Sequence, residues 1–435
     1  MSKRSHALNR REFLKRTATA TAGAAVFPHI IPSSALGLAG AAAPSNRITV
    51  GCIAVGGMGN SNMNGFLDRS DAQVVAVCDV DQRHLRTAQN NVNRKYGSED
   101  CAAYTDFREV LAREDIDAVS IALPDHWHGV ASVMAAKMGK DIYGEKPLAY
   151  NIAEGRAIVN AVKQNGRVWQ TGSWQRSQEH FRFGCELVRN GRIGKVHTVK
   201  VGLPNTNGIR EGSTAPEPPP DWFDYDMWLG PAPYAPYCKA RCHWNFRWIS
   251  DYAGGQLTDW AGHHIDIAHW GMDAELSAPV EIEGSGRWPR AEDGLFDTVE
   301  HYTFTCEYRE GFTMIVSGLL PGGARFEGEH GWVHVTRGHI DAEPKSLLNE
   351  VIGPEEIHLY DSPNHIGNFL DCVKTRATTI TPVDVAHHSV MVGHLGLIAM
   401  KLERKVRFNP QTERFVRDPE ADRMLSRPMR EPWTL

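Results

Sequence analysis

Long apolar runs, a surplus of positive charge and a dense set of cysteines are all missing from this 435-residue sequence. No stretch reaches the roughly 18 unbroken apolar residues that a membrane span requires, so insertion in a membrane is not expected. Cysteine occurs eight times, too thinly for a disulfide-built scaffold. Only Cys238 and Cys242 are closely spaced, as Cys-x-x-x-Cys. That leaves a local disulfide open, and a zinc site less so, because no second pair follows. Net charge is −5, but residues 1–16 hold six Lys/Arg against one Glu, and residues 17–43 hold no charged side chain. The remaining body carries 41 basic and 51 acidic residues. It therefore lacks the basic surface that nucleic acids and anionic membranes demand, and neither is an expected partner. No internal repeat is present. The whole chain is 42% hydrophobic and 23% charged, with 12 Trp and 40 Gly, as expected of a globular protein of two or three domains.

Residues 1–43 read as an address. Arg10-Arg11 is followed by Phe13-Leu14-Lys15, an uncharged Ala/Thr/Gly-rich stretch and Ala39-Gly40-Ala41-Ala42-Ala43. This resembles a twin-arginine export signal. It predicts a periplasmic protein that is exported already folded, which suits an enzyme that acquires a cofactor beforehand. The body divides into 44–175, 176–408 and a Pro- and Arg-containing extended tail at 409–435, positioned to wrap a neighbouring subunit.

The first of these segments has the order of a dinucleotide site. Ile48–Val55 is an apolar run suited to a buried parallel strand. It enters Gly56-Gly57-Met58-Gly59 and a segment of helical spacing, and a second strand over 73–78 ends at Asp79. In such a unit the turn brings backbone N–H groups at a helix N-terminus to a pyrophosphate, and the acid takes a ribose hydroxyl. Ala54 stands where the first glycine of the fingerprint is usual. Asp79 favours NAD over NADP, because a 2′-phosphate would meet a carboxylate, although Arg83 nearby leaves room for NADP. Strands and helices continue to alternate to residue 171, predicting a doubly wound parallel sheet. Ligands of such sheets lie beyond the strands' carboxyl ends, which here carry Pro124-Asp125-His126-Trp127-His128, Glu145-Lys146-Pro147 and Trp174-Gln175-Arg176.

Beyond residue 194 the pattern changes. Residues 194–203 alternate like a strand of a second sheet, and strands recur at 299–307, 312–318 and 331–336. Helices follow at 364–375 and 383–405. Between 204 and 250 runs a long connection with Pro216-Glu217-Pro218-Pro219-Pro220 and seven aromatics between Trp222 and Trp248. Loops this long are usually functional or disordered. Aromatic faces suit sugar rings, so this one reads as a substrate wall or lid, or as a loop packed on its own domain.

Glu145-Lys146-Pro147 downstream of the glycine turn, together with Gly254-Gly-Gln-Leu-Thr-Asp259-Trp-Ala-Gly-His263-His-Ile-Asp266, resembles the Gfo/Idh/MocA family of pyridine-nucleotide oxidoreductases. The likeness runs from about 47 to about 410, and with the leader it is most similar to the secreted bacterial branch. The resemblance implies an N-terminal Rossmann domain and a C-terminal α/β domain with an open, mostly antiparallel sheet that commonly makes oligomer contacts, as a dimer or tetramer. It also implies a sugar, cyclitol or related polyol as substrate, and it places the His126–His128 loop along the nicotinamide ribose. Expected cofactor-binding residues are therefore Gly56, Gly57, Met58, Gly59, Asp79, Pro124, His126, Trp127, His128, Glu145, Lys146 and Gln175.

The residues also argue the chemistry by themselves. Asp259 and His263 are spaced i, i+4, so on a helix they share a face, and a carboxylate can orient an imidazole for proton transfer. Lys146, at a strand end, can polarise a hydroxyl or carbonyl oxygen. Lys146, His263 and Asp259 are the catalytic candidates, and which of the first two is the base stays open. His264 and His269 read as ordinary helix residues. A metal face of Asp259, His263, Asp266 and His269 is the weaker reading, since the nucleotide half already supplies a redox partner, and no metal is expected.

Three functions remain: a sugar oxidoreductase, an NAD-dependent glycosidase that oxidises, eliminates and re-reduces, and a non-catalytic binding protein. Export removes the chain from the cytoplasmic NAD pool, so the first two require a cofactor that stays bound and is recycled in place. Exported NAD-dependent N-acetylgalactosaminidases are similar at family level but differ at the Lys146 position, so the intact Glu-Lys-Pro favours the first reading.

Overall fold

The apolar run that follows residue 47 becomes the central strand of a parallel sheet. The computed structural model describes residues 46–205, 211–290 and 294–435; the expected export signal lies outside them. In chain order the first half runs β1 (Ile48–Ile53), α1 (Gly57–Leu67), β2 (Ala72–Cys78), α2 (Gln82–Tyr96), β3 (Ala102–Tyr104), α3 (Phe107–Ala112), β4 (Ala118–Ile121), α4 (Asp125–Lys137), β5 (Asp141–Gly144), α5 (Ile152–Gln164) and β6 (Trp169–Thr171). The sheet order is β3-β2-β1-β4-β5-β6, all parallel. Strands β4 and β5 are buried throughout, as helices on both faces require. The chain reverses its direction of winding between β1 and β4, and there the strand ends open a crevice.

The second half contains α6 (Glu179–Arg189), β7 (Val196–Gly202), α7 (Tyr225–Leu229), α8 (Gly255–Trp260), a π-helical turn (Ala261–Ile265) and α9 (Asp266–Met272). Strands β8 (Glu281–Arg287), β9 (His301–Glu307), β10 (Thr313–Ser317), β11 (Gly323–Gly328), β12 (Gly331–Thr336) and β13 (His339–Glu343) follow. Then come α10 (His365–Thr375), α11 (Val383–Lys401), β14 (Val406–Asn409), β15 (Arg414–Phe415) and α12 (Pro419–Arg423). Nine strands form one sheet in the order β13-β12-β11-β7-β10-β9-β8-β14-β15. Among the described residues only β7 and β10 pair in parallel in this sheet, so it is mostly antiparallel, as expected. Its strands alternate buried with half-buried or exposed residues, which leaves one face against the core and the other open.

Two features depart from the domain division read from the sequence. Helices α10 and α11, assigned to the second domain, also complete the first. Phe369 of α10 is fully buried and packs its ring 6.1 Å from Phe66 and 5.8 Å from Tyr143. Helix α11 contributes Val383, Ala386 and Val390 to the Rossmann core and Leu395, Ile398 and Met400 to the sheet core. A helix buried on all sides is apolar all round, which explains why α11 alone among the described helices is long and apolar enough to cross a membrane.

The 409–435 segment, read as an extended tail directed at a neighbour, instead folds back on its own chain. It forms β15 and α12, Arg427 Nε reaches the buried Glu154 carboxylate at 2.8 Å, and Trp433 packs edge-on to Trp127 at 4.6 Å. Periodicity could not reveal this, because each anchor is a single residue meeting a distant one. Cys238 and Cys242 are both buried free thiols, so the local disulfide is not formed.

Truncating Phe369 tests the shared core. Phe369→Ala should lower unfolding stability by about 3–5 kcal/mol in urea titrations followed by a fluorescence signal from the Rossmann half, although it lies far beyond that domain's sequence boundary.

Candidate active site

The crevice at the β1/β4 reversal is a cavity of about 510 Å³, within the usual range for small-molecule sites. Its floor is the glycine turn. Ala54 has a left-handed backbone, φ +61°, the conformation that makes glycine usual at this position. A Cβ on Gly59 would stand 1.7 Å from the Ala54 carbonyl oxygen, so only glycine lets α1 start this close to β1. Helix α1 begins without a side-chain cap, which leaves its first N–H groups for an anion. A Cβ on Gly57 would meet nothing within 4 Å, so the backbone there is open to a ligand. At the end of β2, Asp79 accepts the N–H of Val55 at 2.9 Å and of Asp81 at 2.8 Å. Burial raises its carboxyl above the ordinary value against the pull of those two donors and of His84.

Arg83, which left room for a 2′-phosphate, is already committed. Its guanidinium donates to both Asp81 oxygens and lies 3.4 Å over the Trp222 ring. Asp81, His84 and His243 bring ligand-type atoms together beside it, but Asp81 also caps α2 by accepting the Arg83 N–H. These residues fit a dinucleotide with a free ribose 2′-hydroxyl.

The cavity roof comes from the long aromatic connection. Gln82 N–H donates to the Trp222 carbonyl at 3.0 Å and Asp224 N–H to the Val80 carbonyl at 3.0 Å, which pins the segment across the end of β2. Phe223, Met227, Trp228, His243, Trp244 and Phe246 then face the cavity. Phe223, Trp228 and Phe246 also pack with Tyr225, Tyr237, Ile249 and Tyr252 into a small core of the segment's own. The segment is thus both a cavity wall and a self-packed unit. The tail secures it: Arg430 donates to the Gly230 carbonyl at 2.8 Å and pairs with Asp226.

At the other end of the cavity Lys146 meets Asp259. Lys146 Nζ lies 3.0 Å from Asp259 Oδ1, and Arg247 Nε is 3.4 Å from the same oxygen. Burial alone would raise the Asp259 carboxyl, but the two cations hold it below its ordinary value. Asp259 therefore orients Lys146. It does not hold His263, whose Nδ1 is buried without a hydrogen-bond partner among the described residues. The π-helical turn explains the difference, since its extra residue breaks the i, i+4 alignment assumed for a regular helix. A Cβ on Gly262 of that turn would sit 3.0 Å from Lys146 Cβ, so the lysine stem runs against it. Burial first, then Lys146, Arg337, His264 and His365, push His263 well below the usual imidazole range, and it is neutral.

Of the expected site residues, Gly56, Gly57, Met58, Gly59, Asp79, Pro124, Trp127, Glu145, Lys146 and Asp259 line the cavity. Glu145 also accepts from Asn62 at 2.9 Å, tying α1 to the lysine's strand end. His126, His128, Gln175 and His263 do not line it. His126 Nε2 bonds the Trp228 carbonyl at 2.9 Å, and His128 bonds the Pro147 and Leu123 carbonyls at 2.6 and 2.7 Å, so both histidines brace the wall from behind. Gln175 bridges the His263 carbonyl and Arg337 at 3.2 Å each. Asp266 is taken by Arg176 at 2.7 Å, and His269 bonds the Tyr308 hydroxyl at 2.8 Å, so these two do not join Asp259 and His263 in a metal face.

Asp125 and Arg247 also line the cavity, although neither was singled out as a site residue. Asp125 was visible as the first residue after Pro124 at a strand end, whereas nothing local marked Arg247. Burial and the Asp259 charge push the Asp125 carboxyl up to about 8, against Arg247 and Lys146.

Residues 48–173 match the family model described as oxidoreductase family, NAD-binding Rossmann fold, and residues 206–435 match its C-terminal alpha/beta domain. The chain belongs to the Gfo/Idh/MocA oxidoreductase family, and its cofactor is NAD. A myo-inositol 2-dehydrogenase of Thermotoga maritima is 29% identical over 176 residues, 40% of this chain and 47% of that protein. An alpha-N-acetylgalactosaminidase of Shewanella oneidensis is 30% identical over 214 residues, 44% of this chain and 45% of that one. The chain thus spans about half the length of these relatives. The WlbA dehydrogenase from Bordetella pertussis, solved with NADH and UDP-GlcNAcA, shares the fold with a TM-score of 0.61 over 83% of this chain and 99% of that one, at 16% identity.

Two outcomes are expected. Ala54→Gly should relieve the left-handed alanine and raise unfolding stability by up to about 1 kcal/mol, measured as the urea midpoint, with NAD binding kept. For Asp125, the unfolded carboxyl ionises near 3.8 and the folded one near 8. The folded protein holds the extra proton between those values, so its stability should fall as pH rises from about 4 to about 8. Asp125→Asn should flatten that slope in urea titrations of nucleotide-free protein.

Proposed function

We propose that this protein is an exported oxidoreductase that moves hydride between a tightly held NAD(H) and a CH–OH group of a sugar or sugar derivative. The observation that carries it is the Lys146–Asp259 pair standing in the same cavity as the glycine turn and Asp79. Bound there, NAD takes up or returns the hydride. Asp259 keeps the Lys146 ammonium at the cavity wall, where it donates a hydrogen bond to the substrate oxygen and steadies negative charge developing on it. His263, with Nδ1 unpartnered and within charge range of Lys146, is the second acid/base candidate; it stands behind the cavity lining, so a hydroxyl proton reaches it by way of Lys146. The aromatic roof and its tail anchor support a captive cofactor, because a nucleotide under them leaves only when the segment lifts.

The leader pattern supports export by the twin-arginine route to the periplasm with NAD already in place. Recycling then uses a second substrate that returns or removes the hydride. The open face of the nine-stranded sheet is the surface proposed for a homodimer or homotetramer. The likeness to the Shewanella galactosaminidase favours one alternative, glycoside cleavage in which the hydride returns to the same sugar.

Purified protein that has seen no added nucleotide should release near-stoichiometric NAD(H) on denaturation, identified by chromatography. An empty protein that binds NAD weakly contradicts the captive cofactor. Lys146→Met should lower turnover by about 10²–10⁴-fold while nucleotide content stays unchanged, and a scaffold would show no functional loss. Free sugar released from a glycoside without net NADH would select the glycosidase.

A further inference from the structure

One cation near the reacting end has no carboxylate of its own. Lys146 and Arg247 share the single carboxylate of Asp259. A third cation, Arg337, stands at the tip of the two-residue turn joining β12 to β13, where Thr336 pairs with His339. Its guanidinium carbon lies 4.6 Å from the Trp174 ring and 4.4 Å from the Trp260 ring. Both indoles also turn an edge toward His263, with ring centroids at 6.3 and 5.5 Å. Gln175 accepts from Arg337 Nε at 3.2 Å and donates to the His263 carbonyl at 3.2 Å. Arg337 is thereby fixed to the π-helical turn from three sides.

Aromatic contacts hold a guanidinium's plane without using its donors. No carboxylate among the described residues forms an ion pair with Arg337, and Nη1 and Nη2 have no protein partner there. Asp259 is felt by it at longer range but already serves two cations. Of the three cations, Arg337 is the one without a carboxylate ion-pair partner among the described residues, and the other two carboxyls at the cavity, Asp125 and Glu145, are both pushed up by burial. Arg337 does not line the cavity itself but lies within charge range of Asp259 and His263, and an oriented guanidinium without an ion-pair partner there is suited to an anion, which it binds through two parallel N–H donors.

We propose that Arg337 heads an anion subsite, so that the substrate is a sugar bearing a carboxylate or phosphate group and not a neutral sugar. This rests on the oxidoreductase reading of the same site. The anionic group pairs with Arg337 while the hydroxyl to be oxidised points to Lys146.

Calorimetric titration of the NAD-loaded protein tests it, using D-glucuronate, D-galacturonate and the 6-phosphates of glucose and galactose against the neutral hexoses. At least one anionic sugar should bind about tenfold or more tightly than its neutral parent, with the margin shrinking as salt rises. Whether uronates or phosphates lead identifies the anion. Arg337→Gln should bring charged and neutral sugars to within about twofold, while Arg337→Lys keeps part of the preference. Arg337 sits at an exposed turn, and the wild-type preference and its salt dependence read the subsite without any variant. Equal binding of charged and neutral sugars, a preference that survives in Arg337→Gln, or no binding of any of them overturns the subsite. Anion-selective binding by a protein that takes up no nicotinamide nucleotide leaves the subsite standing and overturns the oxidoreductase reading.

Discussion

The contact between Lys146 and Asp259 joins the end of a Rossmann strand to a helix of the second half, and the arrangement of the reacting groups depends on it. A buried ion pair stabilises little by itself, because removing both charges from water offsets most of their attraction. Its value here is positional. Asp259 is held ionised by two cations, and Lys146 is held where the crevice opens. Glu145 ties the preceding residue to α1 through Asn62, and Gly262 admits the lysine stem against the π-helical turn. The glycine turn, the lysine and the turn that carries His263 are thus mechanically one unit.

Around that unit the chain closes upon itself. The aromatic segment crosses the end of β2, and its roof residues are supported by a small core of their own. The tail returns to hold it, with Arg430 at the Gly230 carbonyl and Trp433 against Trp127. Helices α10 and α11 likewise return to the first sheet. Such interleaving couples the nucleotide half and the second half in one packing arrangement, so loosening either disturbs the crevice between them.

Much of this was legible before any coordinate. The parallel sheet follows from apolar strands alternating with helices, and the glycine turn and Asp79 lie close together in the chain, so local order suffices to read them. Lys146 and Asp259 were recognisable as motif members, but their pairing was not, since it joins residues far apart in sequence. The same limit hid the roles of His126 and His128. Both sit in the first turn of α4, just past a strand end where ligand contact is expected, yet His126 Nε2 and the His128 ring nitrogens meet backbone carbonyls behind the wall.

What the amino-acid order determined by itself was therefore the local machinery: two sheet types, a nucleotide turn with an alanine in a glycine's place, and a set of acid/base residues. Those depend on backbone conformation and side-chain period, which act over a few residues. Tertiary structure alone decided that Asp259 serves Lys146 and not His263, that Arg83 is withdrawn onto Asp81 and Trp222, that Asp125 is buried beside a like charge, and that Arg337 is oriented without a counter-ion. Each is an electrostatic or packing relation between distant segments, and its sign and strength depend on burial and distance, which exist only once the chain has folded.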